Sequence, residues 1–328
     1  MGGNALAPFG ARRYERDEYL VLRDKIMVQL GLHVSGVRNF REIPSMTEKE
    51  SYGDLDILCT ELTPENYEEI KRLAGNTPFV RNSEVLSVLW EELQVDIIPM
   101  PHDDFETALV YYSYNDLGNL MSKIYHKFGL KYGHRGLTMP MRDGNNQYDE
   151  LIVSKRPIDI FSFIGLDWRK FQAGFKNRDE IFRYVISSRF FNPEIYSYEN
   201  LNAHNRIRDR KRETYREFLK YVVDKPANHI FEEEDKNHYL PMLFNFFPSL
   251  KVRYDISNEK LARRRAVRDK LNGDKVSAWT GLTGTDLGQL MEFMKKTYGV
   301  FDKWVLDLED SELESLVKTT FSNFELRR

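Results

Sequence analysis

Gly53-Asp54-Leu55-Asp56-Ile57-Leu58-Cys59 is the stretch on which the reading of this 328-residue chain turns. Successive side chains of a strand point to opposite faces, so Asp54 and Asp56 share one face while Leu55 and Ile57 enter a core. Two carboxylates held side by side repel unless a cation lies between them. Further along, Gln94-Val95-Asp96-Ile97-Ile98-Pro99 repeats the alternation, with Val95 and Ile97 inward and Asp96 on the other side. Set beside the first strand, it supplies a third carboxylate. Pro99 cannot donate to a ladder and is expected to end it. Magnesium prefers oxygen ligands and keeps substrate phosphates in its shell. Three carboxylates on adjacent strands can hold two such ions about 3.5–4 Å apart, the arrangement that clamps both oxygens of an in-line phosphoryl displacement. The plainer alternative is a solvated Asp-x-Asp edge with Asp96 as another surface acid. A phosphatase-like α/β enzyme with an Asp-x-Asp nucleophile is a competing fold, but the polar segment before Asp54 does not announce its parallel sheet.

Outward from these strands, Tyr19, Leu20, Ile26, Met27 and Leu30 recur at helical spacing, which predicts a helix from Glu15 to Leu30 stopped by Gly31. Thr63-Pro64 starts a helix in good form, the threonine capping and the proline at the first helical position, with Gly75 near its end. Strands are expected at Val85–Trp90, Leu93–Ile98 and Leu151–Val153, and helices at Phe105–Tyr112, Asp116–Phe128 and Pro157–Ile164. From about Trp168 the pattern turns almost wholly helical, with periodic segments at Glu180–Ser188, Arg208–Val223, Glu259–Leu271 and Asp286–Tyr298. The expected class is α+β: a small mixed β-sheet head over residues 1–170, followed by a mostly helical domain over residues 171–328. No internal repeat or low-complexity segment interrupts this.

Composition sets outer limits. A hydrophobic share of 41% suits a soluble globular chain of two domains. No apolar run approaches the ~18 residues of a membrane span, and MGGNALAPFG lacks the apolar core of a secretion signal, so a cytoplasmic setting without membrane association is expected. Leu6 stands where a myristoylation signal wants Ser or Thr. Cys59 is the sole cysteine, which excludes an internal disulfide or a zinc knuckle, and after Ile57-Leu58 it reads as a small buried residue. The formal net charge is −3, yet cations crowd between Arg206 and Arg216 and between Arg263 and Lys270, so a locally basic face is compatible with nucleic acid. Oligomeric state is not legible.

The paired-aspartate strand and the Val95-Asp96-Ile97-Ile98-Pro99 strand resemble those of nucleotidyltransferases of the DNA polymerase β superfamily. The Val-Asp-x-x-Pro form is most similar to archaeal-type CCA-adding enzymes, eukaryotic-type poly(A) polymerases and oligoadenylate synthetases. Val34-Ser35-Gly36 resembles that family's Gly-Ser turn at a helix N-terminus, with the order altered and a long gap to Asp54. Tyr114-Asn115-Asp116-Leu117-Gly118-Asn119-Leu120 and Gly129-Leu130-Lys131-Tyr132-Gly133-His134-Arg135-Gly136-Leu137 resemble nucleotidyltransferase-like proteins of bacteriophages and giant viruses. The resemblance implies that Asp54, Asp56 and Asp96 are both metal ligands and catalytic groups for two magnesium ions, with a nucleoside triphosphate as substrate. It also implies that Asp96 helps to take the proton of the attacking hydroxyl.

Helix N-termini with small residues offer free N–H groups to anions, so Ser35 and Gly36 are candidates for the β- and γ-phosphates, with Arg38 adding charge. Lys131, His134 and Arg135 could reach triphosphate or primer, although a solvent-exposed turn accounts for them equally; Lys155 and Arg156 carry the same ambiguity. In the helical half, Arg206, Arg208, Arg210, Lys211 and Arg212, interleaved with Tyr196, Tyr198 and Tyr215, could bind a polynucleotide. Asp209, Glu213 and Glu217 could instead neutralise them locally. Asn272-Gly273-Asp274 with Gly281 and Gly284 resembles a segment in the helical tail of bacterial-type CCA-adding enzymes and points to tRNA; a helix-capping turn is the structural alternative. These readings converge on template-independent transfer of a nucleoside monophosphate to the 3′-hydroxyl of an RNA, plausibly tRNA. The alternatives are a small-molecule or protein acceptor, and a non-catalytic RNA-binding relative.

Overall fold

The computed structural model describes residues 5–37, 39–224, 230–232, 234–298 and 301–326. Along the chain run β1 (Tyr14–Glu15), α1 (Arg16–His33), β2 (Arg41–Glu42), β3 (Ser51–Tyr52), β4 (Asp54–Thr60), α2 (Pro64–Leu73), β5 (Phe79–Asn82), β6 (Val85–Trp90), β7 (Leu93–Met100), α3 (Phe105–Tyr112) and α4 (Leu117–Lys127). Then come β8 (Lys131–Gly133), β9 (Gly136–Asp143), β10 (Asn146–Ser154), α5 (Pro157–Phe163), α6 (Trp168–Ala173), α7 (Arg178–Ile186), α8 (Ala203–Arg210) and α9 (Glu213–Asp224). The rest is α10 (Leu240–Phe246), α11 (Pro248–Lys270), α12 (Gly273–Thr280), α13 (Gly284–Thr297), α14 (Phe301–Asp307) and α15 (Asp310–Glu325). The class is mixed α+β, with a mixed sheet and a helical C-terminal region.

The principal sheet has the order β2-β4-β7-β6-β5. β4 and β7 are parallel, placing Asp54 opposite Gln94 and Asp56 opposite Asp96, and the other pairs are antiparallel. The two-residue period sorts the side chains. Leu55, Ile57 and Cys59 of β4 and Leu93, Val95 and Ile97 of β7 pack with Leu22, Ile26 and Leu30 of α1 and Ile70 of α2 in one buried cluster. On the opposite face Leu58 and Ile98 join Ile43 and the Phe105, Ala108 and Leu109 of α3 in another. At roughly 1.5–3 kcal/mol for each fully buried aliphatic side chain, both faces are anchored, and the strand register fixes where the three aspartates emerge.

The caps explain most element boundaries. Thr63 accepts from the Asn66 N–H while the Asn66 side chain accepts from the Thr63 N–H, a reciprocal box at the start of α2 as its sequence announces. Gly31 does not stop α1, which continues to His33, and the buried Leu30 and Val34 dock its last turn. Pro99 does not end β7 either. It lies in register with Cys59 of β4, beyond the pairing with β6 that stops at Ile97, so its missing donor falls where β7 pairs on one side only. The helix expected over Arg208–Val223 is broken at Lys211-Arg212 into α8 and α9, and α11 begins at Pro248 rather than Glu259. The glycine-rich stretch 129–137 forms a hairpin in a second sheet of order β10-β9-β8.

The chain divides into two compact units, Met1–Pro140 with Glu150–Leu250 and Met141–Asp149 with Lys251–Arg328. Residues 171–250 thus fall with the principal sheet. The second unit has its own core of Val267, Leu271, Val276, Leu290, Met294, Val305, Leu313 and Val317. Within it, the Tyr148 hydroxyl donates to Asn258 Oδ1 at 3.2 Å and Ser257 Oγ to Asp149 Oδ2 at 2.7 Å, tying a hairpin tip to α11. Among the described residues no helix is long and apolar enough to cross a membrane. Cys59 is buried and its thiol is pushed up to about 12 by desolvation, an inert core position.

Candidate metal centre and substrate cavity

One carboxylate oxygen from each of Asp54, Asp56 and Asp96 lies within 4.8 Å of the other two. The parallel register of β4 and β7 produces this cluster. Asp96 is fully buried, and Gln94 Nε2 donates to both of its oxygens at 3.0 and 3.1 Å. Gln94 is itself held, its Oε1 accepting from the Leu6 N–H at 3.1 Å. Burial raises the Asp96 carboxyl above its usual range, and hydrogen bonds from Ser87 and Gln94 pull against the rise. Asp56 is perturbed more strongly. Desolvation, then the charges of Asp54 and Asp96, push it up to about 7, and its Oδ1 is buried without a hydrogen-bond partner. An unpartnered buried oxygen among three acids is costly unless a cation completes it. The three carboxylates therefore fit a hard, oxygen-seeking metal ion.

In front of Asp54 and Asp56 lies a cavity of about 670 Å³. One wall is Tyr19 and Tyr52, stacked at 3.8 Å between centroids, with the Lys49 ammonium 4.6 Å from the Tyr52 ring. The facing wall comes from the α3–α4 connection and the α8–α9 junction: Tyr111, Tyr112, Asn115, Asp116, Asn119, Arg212, Glu213 and Thr214. Asn115 holds φ of 58°, a left-handed conformation that asparagine tolerates better than most residues. Gly118 is needed for close approach, since a Cβ there would stand 2.3 Å from the Tyr111 carbonyl oxygen. The segment Tyr114–Leu120, singled out in the sequence, thus builds a wall of the cavity. A second cavity of about 500 Å³ shares Lys49, Asp54, Asn115 and Glu213 with the first and adds Arg13, Lys176 and Arg178.

Other candidate residues lie elsewhere. Ser35 and Gly36 follow the C-terminal end of α1, where the dipole disfavours anions, and no described helix begins at them. The Ser35 carbonyl accepts from Asn66 Nδ2, and neither residue lines either cavity. The phosphate role expected of them loses its helix N-terminus. Arg38 lies outside the described residues. Lys131 and Arg135 both pair with Glu150, at 3.3 and 3.1 Å, and the His134 ring stacks on Tyr112; none of the three lines the cavities. Gly136, with φ of 94°, packs so close to Ser154 that a Cβ would stand 2.6 Å from its carbonyl oxygen, a hairpin reason for glycine. Lys155 pairs with Asp104, and Arg156 with Asp159. Asp96 is fully buried and, unlike Asp54 and Asp56, does not line the cavity.

In the basic run, Arg212 reaches the cavity and pairs with Asp116. Arg208 is held at 2.7 Å by Asn119 Oδ1 and at 2.9 Å by Asp209, and Arg206 donates to the Leu201 carbonyl. Arg210 lies over the Tyr198 ring, and Lys211 is exposed. In the second unit, Gly281 is a left-handed helix cap whose N–H meets the Ser277 carbonyl, and Gly284 opens α13, so both glycines serve the α12–α13 turn.

Sequence reasoning missed Lys49 and Ser45. Ser45 follows β2 and lines the larger cavity. Lys49 lines both cavities, and burial holds its ammonium below the usual range. No period or motif marks them, because only the antiparallel return of β2 onto β4 brings residues 43–49 to the aspartates. No protein-family model matches this chain, and no curated protein matches it.

Proposed function

We propose that the chain is a metal-dependent nucleotidyltransferase that moves a nucleoside monophosphate from a nucleoside triphosphate to a hydroxyl acceptor, the 3′ end of an RNA. The observation that carries the reading is the Asp54–Asp56–Asp96 cluster with its unpartnered Asp56 oxygen, open on a cavity large enough for a nucleotide. Asp54, Asp56 and Asp96 would hold two magnesium ions. When bound, such ions lower the pKa of the attacking hydroxyl and neutralise charge on the departing pyrophosphate. The chain's own share is position and field: Gln94 orients Asp96, Lys49 supplies fixed positive charge beside Asp54, and the tyrosine pair offers a flat apolar wall. The resemblance of β4 and β7 to the polymerase β superfamily supports the same chemistry.

The test is incubation of the purified chain with magnesium, each labelled nucleoside triphosphate in turn, and RNAs with and without tRNA ends. Label is expected in RNA with the intact chain and not with Asp54→Ala/Asp56→Ala. The preferred nucleotide and RNA separate CCA addition from tailing. Triphosphate binding without label in any RNA would move the acceptor to a small molecule or a protein.

A further inference from the structure

Asp209, Glu213 and Glu217 are spaced so that they could neutralise the cations around them, yet apart from the Asp209–Arg208 contact the fold turns them to partners outside the run. Asp209 is buried against Lys123 Nζ at 2.7 Å and Arg208 at 2.9 Å. Glu217 takes both of its close contacts from Arg178 Nη1, at 2.6 Å, and Glu213 lies 3.4 Å from Arg178 Nη2. What remains is a row of like charges. Arg212 stands immediately before α9, where its carbonyl accepts from the Arg216 N–H, and Arg216 and Lys220 follow at successive fourth positions. Residues four apart share a helix face, about 6 Å apart along the axis. Arg216 and Lys220 are exposed, and among the described residues neither has a carboxylate within ion-pair distance. Like charges at this spacing destabilise a helix, so leaving Arg216 and Lys220 bare is a cost without a structural return. The inner end of the row is Arg212, which pairs with Asp116 in the wall of the cavity that holds Asp54 and Asp56.

We propose that Arg212, Arg216 and Lys220 form a track along α9 that seats the phosphate backbone of a single-stranded polynucleotide whose 3′ end lies in the aspartate cavity. The inference rests on the nucleotidyl-transfer reading and names its acceptor surface. A row of single cations one helical turn apart matches successive phosphates of an extended strand, and a duplex would have to open to enter a cavity of this size. The run Arg206–Lys211, more conspicuous in the sequence, contributes less because Arg206 and Arg208 are turned to internal partners.

The experiment is fluorescence anisotropy of labelled single-stranded RNA with the full chain across a salt series, without triphosphate. Arg216→Glu/Lys220→Glu is compared with Lys260→Glu/Arg264→Glu, an equally cationic exposed pair on α11. The α9 variant should weaken binding at least tenfold and lower the slope of log affinity against log salt by about 1.4, the loss of two phosphate contacts on a single strand. The α11 variant should leave both unchanged. Equal losses in the two variants, equal affinity for blunt duplex RNA, or no binding by the unmodified chain would each overturn the track. Since the assay needs neither metal nor turnover, label transfer to another acceptor would still support the nucleotidyl-transfer reading after such a failure.

Discussion

Two acidic groups of the first unit, Asp209 and Asp56, meet opposite surroundings. Asp209 has Lys123, Arg208 and Asn119 around it; burial alone would raise its carboxyl, but hydrogen bonds from Arg208 and Lys123 outweigh burial and hold it below the usual range. Asp56 has Asp54 and Asp96 around it, and their charges add to burial in pushing it up to about 7 against the opposing charge of Lys49. The first arrangement is complete as folded and ties α4 to α8. The second is complete only with something positive added. A desolvated charge with its partner supplied by the chain is architecture, and one whose partner must come from solution marks a site.

Four perturbations sharpen this contrast. The largest effect is expected from Asp54→Ala/Asp56→Ala, which should lower nucleotide incorporation by at least about 1,000-fold through loss of metal-clamped charge and should raise rather than lower the denaturation midpoint of the metal-free chain. Residual incorporation within tenfold of the intact chain would remove the aspartates from the proposed chemistry. Next comes Lys123→Ala, which leaves the buried Asp209 with Arg208 as its remaining cation and should cost up to about 3–5 kcal/mol in urea unfolding. Lys123→Met/Asp209→Leu should recover most of that loss, and a double variant no better than the single would show that the pair is not the source.

The third perturbation is pH. Asp56 gives up its proton near 7 in the folded chain and near 4 when unfolded. Between those values the folded state binds more protons than the unfolded one. The contribution of Asp56 to metal-free stability is therefore fullest below about 4 and falls as pH rises to about 7. Asp56→Asn should flatten this slope in melting curves taken with a chelator, and an unaltered slope would assign it to another group. The smallest effect belongs to Asn119→Ala. Asn119 touches both regions, since it lines the cavity and binds Arg208, and its removal should cost about 1 kcal/mol. A midpoint unchanged from the intact chain would show that the two regions are not linked there.

Much of the site was legible because its three aspartates lie on strands. The two-residue alternation in Asp54–Cys59 and Gln94–Ile98 assigned faces correctly, and the caps of α2 announced themselves through Thr63 and Pro64. The Ser35-Gly36 turn misled: it looked like an anion-binding turn but closes the C-terminal end of α1. Of the acids that could neutralise the basic run locally, Asp209 does pair with Arg208, whereas Glu213 and Glu217 turn to Arg178, distant in sequence.

The chain by itself determined the faces of β4 and β7, the third acid's place on a neighbouring strand and the helical character of its later half, because a strand's period and a helix cap act over two to four residues. The tertiary structure decided which cations remain unpaired, that Lys49, Ser45 and Asn119 line the cavity, and that Asp96 sits enclosed behind Asp54 and Asp56. Those outcomes depend on pairings such as Lys123 with Asp209 and Arg178 with Glu217, which form only when helices far apart in sequence have packed, and no local pattern encodes them.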